Sequence, residues 1–484
     1  MKQQPFLNLW VPIILGITLL VYVILRAALI PITHDEANTC LTFSVKPVWD
    51  IITYSDPIPN NHILNTLLIK LFTGIFGMHA FIARLPNILG FILYYSVLVI
   101  WLRKLSTHFL IMLTGLVLFT CNPYLMDFFS LARGYALSIA FMLTSCYFAW
   151  RYIHTAHRRA HLNALIFGAV AVYTNFTTLN FFIAFAVLII IVDIRLNYKS
   201  DRKLFYRKFG EMALVILLLA GLSFYPIYRM IATDQFVFWG TKGFYSDTLL
   251  TLFQASDYGQ DYFHFQINWY VSIYLYLIFI MLVFAFREGR RNKYKISENG
   301  FLFFVLLLTG TVLVNVLQYY LFHTPYLTTR TALFYYPLSM IPLLFFVKFL
   351  YENYKAGFGI FSGVFIITGI FHMVNTVNLN SAYEWWYDKN TFDVIAELEE
   401  KNHDAGVISL DADWLFYPSL HFHIETDQHD KIDLRDFHTD IDSNSVSEYY
   451  YIVESDFNLL KNKYEIIKSY EFGTRLLLRK KEFK

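Results

Sequence analysis

The residues of this sequence best suited to chemistry begin with two adjacent acids, Asp35 and Glu36, which follow the first long apolar segment. Two carboxylates at the end of a membrane span can be no more than a hydrated loop. Here, however, Asp127, Arg133 and Arg330 lie beside later apolar segments, at positions that can reach the same membrane face. Because ionisable groups that converge at membrane depth usually serve a function, we interpret these residues as a candidate site.

The basic candidates also have structural interpretations. Arg133 lies six residues after Asp127 in one predicted outer turn, so a salt bridge between the two competes with a role in catalysis. Arg330 precedes a long apolar segment, where an arginine can reach lipid phosphate. For Arg84 we favour this lipid contact outright. Lys242 lies in a glycine-containing outer loop, and its role is left open.

Four further polar positions, three histidines and one asparagine, are candidates for binding a metal or a substrate. His62 follows Asn60-Asn61 and could bind a metal, although a single histidine at a helix start more often caps the helix or lies on the surface. Asn175 interrupts a double apolar segment at its outer turn, so we expect it to face the same cavity as the other candidates. His421 and His423 have the alternate spacing of metal ligands on a strand, but we interpret them as solvated.

One acid with several cations at a membrane surface suits a particular reaction. A polyprenyl-phosphate sugar is both apolar and anionic, so its leaving phosphate needs arginine or lysine partners. The acceptor hydroxyl needs a carboxylate base, and a single, inverting displacement at the sugar carbon uses one such base. We predict that Arg330 binds the donor phosphate, with Arg133 and Lys242 as weaker candidates, because a guanidinium matches phosphate better than an ammonium does.

Composition places these residues in a polytopic membrane protein. The 484 residues are 56% hydrophobic and 16% charged, with a mean hydropathy of +0.44. A membrane span needs roughly 20 mostly apolar residues. Eleven segments meet this requirement: Leu7–Ile30, Leu85–Leu102, Phe109–Met126, Ala136–Trp150, Leu162–Phe176, Leu179–Ile194, Met212–Ile231, Ile267–Phe286, Phe301–Phe322, Ala332–Phe349 and Phe358–Val377.

Positive charge orients the predicted spans. One further apolar stretch, His62–Phe76, is shorter and contains Lys70; counting it as a span would turn the later basic loops outward, so we predict a helix on the outer surface. Eleven crossings from a cytoplasmic N-terminus leave the C-terminus outside, in an integral, multi-pass protein of the inner (plasma) membrane. The basic segments predicted to be cytoplasmic are Lys2, Arg103-Lys104, Arg151 with Arg158-Arg159, Arg195–Lys208, Arg287–Lys295, and Lys348 with Lys355.

Charge also divides the chain into two domains. Residues 380–484 contain 22 of the 37 acidic residues but only 12 of the 39 basic ones. We predict a transmembrane domain at 1–378, with a first outer loop at 31–84 that carries surface helices, and a soluble extracytoplasmic α/β domain at 379–484. No P-loop or GxGxxG motif occurs in this tail, and we predict no nucleic-acid partner. Its predicted elements are a helix at Thr391–Lys401, strands at Gly406–Leu410 and Tyr449–Val453, and a hairpin of Tyr464–Phe472 with Thr474–Arg479.

Several motifs, taken in order, resemble the GT-C membrane glycosyltransferases. The resemblance is to the protein O-mannosyltransferase-like and aminoarabinose-transferase-like group, which includes bacterial lipopolysaccharide-core sugar transferases, and it covers most of Met1–Val377. It implies a polytopic α-helical membrane protein with about eleven transmembrane helices and a small C-terminal domain. The matching motifs are His34-Asp35-Glu36-Ala37 after the first span, Ala83-Arg84-Leu85-Pro86-Asn87, Ser130-Leu131-Ala132-Arg133-Gly134-Tyr135-Ala136-Leu137, and Arg330 followed by Tyr335, Tyr336 and Pro337.

The resemblance implies an activity and roles for these residues. The donor is a polyprenyl-phosphate sugar, the transferred group a hexose or pentose, and the acceptor a glycan, lipid or protein at the extracytoplasmic face. The acid of the first outer loop is the catalytic base, which corresponds here to Asp35, with Glu36 as an orienting or metal-linked partner and Asp127 as a second acidic contact. The substrate-binding candidates are His62, Arg133, Tyr135, Asn175, Lys242 and Arg330.

The sequence departs from the group before the surface helix. Many relatives have a histidine or lysine followed by two prolines, whereas this chain has Asn60-Asn61-His62-Ile63-Leu64. Some members of the group use a divalent metal and others do not. Because no set of ligands is evident here, no cofactor is assigned and a divalent metal is left open.

Two other classes of protein, a transporter or flippase and a sensor, are alternatives to a transferase. A transporter or flippase of lipid-linked sugars would bind a similar ligand, but transporters often contain internal repeats with paired broken helices, and we find no such repeat. A sensor with an outer ligand-binding domain would leave the acids of the first loop unexplained. The sequence therefore favours a glycosyltransferase that contacts membrane lipid, a lipid-linked donor and an acceptor.

Overall fold

A computed structural model describes residues 5–198, 200–235, 240–262, 266–291, 300–401 and 406–481 of the chain. Of the predicted cytoplasmic positions, Lys2, Lys199 and residues 292–295 lie outside these ranges. Nineteen α-helices occur in the described part. They are α1 (Pro5–Leu29), α2 (His34–Asn38), α3 (Val48–Thr53), α4 (Ile63–Phe76), α5 (Ala80–Leu105), α6 (Phe109–Thr120), α7 (Pro123–Phe129), α8 (Gly134–Thr155), α9 (Arg158–Thr174), α10 (Leu179–Asp193), α11 (Arg202–Ala232), α12 (Leu250–Asp257), α13 (Ile267–Arg291), α14 (Gly300–Phe322), α15 (Tyr335–Asn353), α16 (Lys355–Asn375), α17 (Thr391–Lys401), α18 (Tyr417–Thr426) and α19 (Phe457–Leu460).

The long apolar helices match most of the predicted spans. By length and composition, nine helices of the described residues can cross a membrane, and ten if the bent pair α6 and α7 is one span. The nine helices, some with a short adjoining turn, are α1, α5, α8, α10, α11, α13, α14, α15 and α16. The predicted span Leu162–Phe176 corresponds to α9, which has 17 residues and begins at Arg158. The described part therefore contains nine or ten candidate spans rather than eleven.

Two features follow from local sequence. The pair α6–α7 bends by 68° because Asn122 caps the second helix, where its Oδ1 accepts from the Leu125 N–H at 2.8 Å, and Pro123 begins that helix. The short apolar helix α4 does not meet the span test, as predicted. Its Lys70 donates to the carbonyl oxygens of Ser44 at 3.0 Å and Val45 at 3.4 Å.

The predicted basic loop Arg195–Lys208 is mostly helical. A π-helix at Ile194–Tyr198 extends α10, and α11 begins at Arg202. Lys208 is fully buried and donates to the Tyr152 hydroxyl at 2.9 Å. Tyr152 in turn donates to Asp193, which also bonds His161 at 3.1 Å. Burying this lysine is tolerable because the carboxylate and the hydroxyl lie beside it.

The C-terminal residues form one five-stranded sheet in the order β2-β1-β3-β5-β4. β1 runs parallel to β2 and β3, whereas β5 is antiparallel to β3 and β4. The helix α17 has the predicted bounds, and the predicted strands and hairpin are present. The strands are β1 (Ile408–Ala412), β2 (Ile432–Leu434), β3 (Tyr449–Val453), β4 (Tyr464–Tyr470) and β5 (Arg475–Lys480).

Side chains that alternate along β3 and β5 fill the two faces of this sheet. One core contains Leu398 of α17 and Leu420 of α18 packed with Leu410, Tyr449 and Leu477. The opposite face forms a smaller core, whose members include Tyr450, Ile452, Tyr464, Leu476 and Leu478. This two-sided burial explains why β3 and β5 read as continuous apolar runs in the sequence.

Two compact units divide the chain by contact density. Unit 1 comprises residues 1–24, 48–65 and 86–377, and unit 2 comprises 25–47, 66–85 and 378–484. Unit 2 therefore contains two segments of the predicted membrane domain in addition to the C-terminal sheet. Asp35 and Glu36 belong to unit 2, whereas Asp127, Arg133 and Arg330 belong to unit 1.

Candidate functional site

The acid-bearing turn is built by a capping box. Thr33 precedes α2, and its side chain accepts from the Glu36 N–H at 3.4 Å, while Glu36 Oε2 accepts from the Thr33 N–H at 2.9 Å. The Thr-x-x-Glu spacing of the sequence specifies this arrangement. It places Asp35 in the first turn of α2, half-buried, next to the fully buried Glu36.

Glu36 is bound by Arg84 in a pair that is fully buried on both sides. Arg84 Nε donates to Glu36 Oε1 at 2.9 Å, and Nη2 donates to Oε2 at 2.7 Å. The same guanidinium donates to the carbonyl oxygens at the end of α1, those of Ala27, Ile30 and Pro31, at 2.7–3.0 Å. Our interpretation of Arg84 as a lipid contact is therefore wrong, because the side chain has no exposed surface and all its donors are directed into unit 2.

In unit 1, buried amides position the segment Ser130–Gly134 that carries Arg133. Asn65 donates to the carbonyl oxygen of Ala132 at 3.2 Å. Asn87 donates to Asn65 Oδ1 at 2.9 Å and accepts from the N–H of Leu137 at 3.3 Å. Both asparagines are fully buried. This amide chain fixes the N-terminus of α8 and, with it, the position of Arg133.

Gly134 makes room for the imidazole of His62. A Cβ atom at Gly134 would lie 2.7 Å from His62 Cβ and 2.9 Å from the carbonyl oxygen of Thr174, so no larger residue fits without displacement. The His62 ring meets the Tyr135 ring edge-on, with centroids 4.9 Å apart. The Arg133 guanidinium lies 6.0 Å from the same tyrosine ring.

His62, Arg133, Tyr135 and Arg330 form what we term the cationic cluster. Burial lowers the pKa of His62 well below its ordinary value, and the positive charges of Arg133 and Arg330 lower it further. The ring is therefore neutral at pH 7. Its Nε2 is buried and has no hydrogen-bond partner among the residues that the structure describes. The cluster thus holds two fixed positive charges and an imidazole that can still donate or accept a hydrogen bond.

Arg330 lies on a short 3-10 helix, Thr329–Ala332, and is half-buried. Thr328 caps this helix, and Thr331 Oγ1 accepts from the Thr328 N–H at 2.8 Å. The Thr329 N–H donates to the hydroxyl of Thr251 at 2.9 Å. These bonds fix the turn that carries Arg330, whose positive charge lowers the pKa of His62.

The other candidates occupy separate positions within unit 1. Asp127 lies on α7, almost fully buried, and its two carboxylate oxygens are 2.9 and 3.0 Å from the Tyr258 hydroxyl. Asn175 caps the 3-10 helix Phe176–Thr178 with its Oδ1, which accepts from the Thr177 N–H at 3.0 Å. The side chain of Lys242 is exposed, and its backbone N–H donates to Asp247 at 2.6 Å.

The spacing of the two tail histidines, His421 and His423, had suggested a strand, but neither residue lies on one. Both are on α18, and His423 is 2% exposed, so our interpretation of this residue as solvated is wrong. Its Nδ1 lies 2.7 Å from Asp427 Oδ2. His421 is partly exposed and bonds Glu425 at 2.8 Å.

The described residues contain no group of three or more His, Cys, Asp or Glu side chains placed to hold a metal ion. Among the acids of the candidate site, Glu36 is bound by a guanidinium and Asp127 by a tyrosine hydroxyl. These partners do not fit a metal site.

Sequence reasoning missed three residues that build the site, Asn65, Asn87 and Asp388, and it favoured a solvated position for His423. Asn87 belongs to the Arg-Leu-Pro-Asn motif, which gave a signal for that position. Asn65 and Asp388 have no local signal, because a single polar residue in an apolar helix or in a water-soluble segment can have many structural roles. Only the tertiary contacts show what each of these side chains binds.

Comparisons with known proteins identify the fold. No protein-family model and no curated protein matches the sequence. Among solved structures, the chain is similar to ArnT from Cupriavidus metallidurans in the apo state, with a TM-score of 0.54 and 10% identity over 96% of this chain and 97% of that one. The same protein bound to undecaprenyl phosphate gives a TM-score of 0.47 and 11% identity over the same shares.

The similarity extends over nearly the whole length of both chains, so it includes the helical region and the C-terminal sheet together. At 10% sequence identity, the similarity shows a similar fold and no more. The chain is a polytopic α-helical membrane protein with a small C-terminal α/β domain, and its fold is similar to that of ArnT from Cupriavidus metallidurans.

Proposed function

We propose that this protein is an integral membrane glycosyltransferase that moves a sugar from a polyprenyl phosphate to a hydroxyl of a glycan, lipid or protein acceptor at the extracytoplasmic face. The observation that carries the proposal is the cationic cluster of unit 1. Two guanidinium charges act on one buried, neutral imidazole there. The shared fold and the order of the sequence motifs support the same assignment.

The cationic cluster suits a leaving phosphate. When the bond between the sugar carbon and the phosphate oxygen breaks, the electron pair stays on that oxygen, and the charge of the phosphate grows. Arg133 and Arg330 stabilise this charge by charge-assisted hydrogen bonds. His62 is neutral, and its Nε2 can donate to or accept from a phosphate oxygen. An apolar polyprenyl chain requires such a phosphate site to lie at the membrane surface.

Asp35 is the proposed base. Its carboxylate takes the proton of the acceptor hydroxyl as that oxygen attacks the sugar carbon from the side opposite the phosphate, so the configuration at the carbon inverts. Glu36 is already engaged by Arg84, which leaves it the role of fixing α2. Asp127, held by Tyr258, is proposed as a second acidic contact. The joint action of Asp35 and the cationic cluster is part of the proposal.

The proposal is tested with purified protein reconstituted in vesicles. The donors are polyprenyl phosphates that carry radiolabelled hexoses or pentoses, and the acceptor is a total extract of envelope lipid and glycan. We expect labelled acceptor and free polyprenyl phosphate to appear together. Movement of intact donor between leaflets without release of polyprenyl phosphate would instead identify a transporter.

Substitution of the base sharpens the test. Asp35→Asn keeps the size of the side chain but removes its basicity, so turnover is expected to fall by roughly 10²–10⁴-fold. Binding of labelled polyprenyl phosphate should be unchanged. Asp50→Asn, in the same outer loop, is the matched control. If Asp35→Asn turns over normally while Glu36→Gln or Asp127→Asn is inactive, the base is another carboxylate.

A further inference from the structure

The turn before Asp35 is bonded by side chains from the C-terminal part of unit 2. The backbone N–H of Ile32 donates to Nε2 of His423 at 3.0 Å, and the carbonyl oxygen of Ile32 accepts from the hydroxyl of Ser419 at 2.6 Å. His423 and Ser419 both lie on α18 and are almost fully buried. Both polar groups of one backbone residue are thus engaged by a single helix of the C-terminal domain.

Two more bonds hold the next residues of the turn. The N–H of His34 donates to Oδ2 of Asp388 at 2.7 Å. The His34 ring donates from Nδ1 to the carbonyl oxygen of Leu415 at 3.0 Å and meets the ring of Trp414 edge-on at 5.8 Å. Asp388 lies on the 3-10 helix Trp386–Asn390 and is 3% exposed.

These contacts matter because α2 cannot hold itself in place. It has five residues, and a helix this short is unstable alone, since one or two hydrogen bonds do not offset the cost of ordering it. Its orientation is therefore set by the capping box, by Arg84 and by the four bonds to the C-terminal domain. The direction in which Asp35 extends follows from that orientation.

We propose that Asp388 and His423 are positioning residues for the transfer reaction: they hold the turn at Ile32–His34 so that Asp35 meets the acceptor hydroxyl. The inference rests on the proposed function for its catalytic meaning. It assigns the soluble C-terminal domain a direct structural part in the reaction of the membrane enzyme. Misplacing a reacting group by about 1 Å can cost on the order of 100-fold in rate, so a change in these contacts is expected to lower kcat.

Geometry defines the protonation state that His423 must have. An N–H can only donate, so Nε2 accepts from Ile32, and the ring proton is on Nδ1, which donates to Asp427. Burial lowers the pKa of His423, although Asp427 opposes this shift. The other charged groups that face it are Arg84 and His429, and His79 lies 3.8 Å from Asp427. A second proton would occupy Nε2 and break the bond to Ile32.

Asp388 accepts from the His34 N–H in surroundings that favour its neutral form. Burial raises its pKa well above the ordinary value, and the charges of Asp35 and Glu36 raise it further, whereas the His34 N–H and Arg475 oppose the shift. Tyr451, also buried, faces the same carboxyl group. Oδ1 of Asp388 has no hydrogen-bond partner among the described residues, which would be costly for an ionised carboxylate.

The experiment uses the full-length protein and pairs of variants in which the side chain keeps or loses its accepting group. Asp388→Asn and His423→Gln each retain an oxygen that can accept from the turn, whereas Asp388→Ala and His423→Ala do not. We expect kcat to fall at least about tenfold in the alanine variants and to stay near wild type in the other two, with donor KM unchanged in all four. Asp430→Ala and His421→Ala, on the surface of the same domain, are controls.

The pH profile separates positioning from mere stabilisation. In the wild type, protonation of His423 removes the acceptor, so kcat should decline at acid pH, below the ordinary range of a histidine pKa because burial lowers the pKa of His423. His423→Gln has no such proton and should move this decline to lower pH. An unchanged acid limb in His423→Gln, or alanine variants with wild-type kcat, would overturn the proposal.

Hydrogen–deuterium exchange tests the positioning without any substrate. The amides of Ile32 and His34 should exchange faster in His423→Ala and Asp388→Ala, respectively, and at the wild-type rate in the controls. Equal rates in every variant would refute the inference even in an active enzyme. If wild-type protein releases no polyprenyl phosphate, the proposed function has failed, whereas the exchange rates still decide whether these residues hold the turn.

Discussion

The positive charges of Arg133 and Arg330 both lower the pKa of His62. The three residues lie far apart in sequence but are related by this electrostatic effect. A positive potential of this kind attracts an incoming anion. In the proposed function, this anion is the phosphate of the lipid-linked donor. The cationic cluster is therefore expected to bind polyprenyl phosphate more weakly when either arginine is altered.

Arg330→Lys tests this expectation while retaining the charge. A lysine ammonium is a point charge and cannot form the paired, planar hydrogen bonds that a guanidinium makes with phosphate. Loss of one charge-assisted bond costs about 1.5–3 kcal/mol, so the KM for the donor should rise roughly 10-fold to 100-fold. The measurement is initial rate against donor concentration in mixed micelles, with the folded yield determined by size-exclusion chromatography.

Arg229→Lys is the matched control for Arg330→Lys. Arg229 also lies in the predicted outer half and is half-buried, but its Nη2 donates to the carbonyl oxygen of Ser55 rather than acting on His62. Its donor KM should not change. An unchanged KM in Arg330→Lys as well would mean that Arg330 only anchors its helix.

Glu36 and Arg84 call for a stability experiment rather than a kinetic one. Their two hydrogen bonds are fully buried, so removing one partner leaves an uncompensated charge. Such a loss typically costs about 3–5 kcal/mol. Glu36→Gln should therefore lower the thermal midpoint and the folded yield strongly, and Arg84→Met should do the same.

The double variant distinguishes a structural pair from a catalytic acid. With both charges removed, the penalty of the lone charge disappears, and stability should partly recover relative to either single variant. Full stability in Glu36→Gln together with loss of turnover would instead support a direct role for Glu36 in the reaction.

At the scale of elements, periodicity and turn chemistry predicted most of the secondary structure. The apolar segments predicted ten of the candidate spans, counting α6 with α7. In the C-terminal part, α17, β1, β3, β4 and β5 lie at or close to their predicted positions, whereas α18, α19 and β2 were not predicted. Segment α9 was also predicted, but it is shorter and begins at basic residues. Hydropathy cannot decide whether a helix of 17 residues crosses a membrane, because that length is at the lower limit of a span.

The contacts of polar residues were less accessible to sequence reasoning. Arg84 had the features of an interfacial arginine because its neighbours in sequence are apolar, yet its partner Glu36 lies 48 positions away. His421 and His423 show the limit of spacing arguments, since an alternation of two residues has different meanings on a strand and on a helix. Charge partners separated by many residues leave no local pattern, so their pairing could not be predicted.

The chain as a whole combines a basic, apolar part with an acidic tail. The positive-inside rule predicts that the basic loops are cytoplasmic, and the number of spans then decides the side of the tail. The predicted orientation depends on whether α9 crosses the membrane. If it does, an odd number of spans separates the two termini; if it does not, all later loops change sides. Asp35 and the C-terminal sheet belong to the same unit, so we expect both on the same side of the membrane, where the proposed reaction takes place.

Cysteine accessibility in sealed vesicles of known orientation determines this topology. In a background without the native cysteines, Arg159→Cys lies at the start of α9 and Asp440→Cys in the tail, and both wild-type residues are exposed. Thr177→Cys marks the turn after α9. An impermeant maleimide added outside should label positions 177 and 440 at once, but position 159 only after permeabilisation. Labelling of positions 159 and 177 from the same side would show that α9 does not cross the membrane. The number of spans would then fall by one, and the basic segment Arg195–Lys208 would lie on the outer face. Since that arrangement violates the charge bias of every later loop, we expect the crossing.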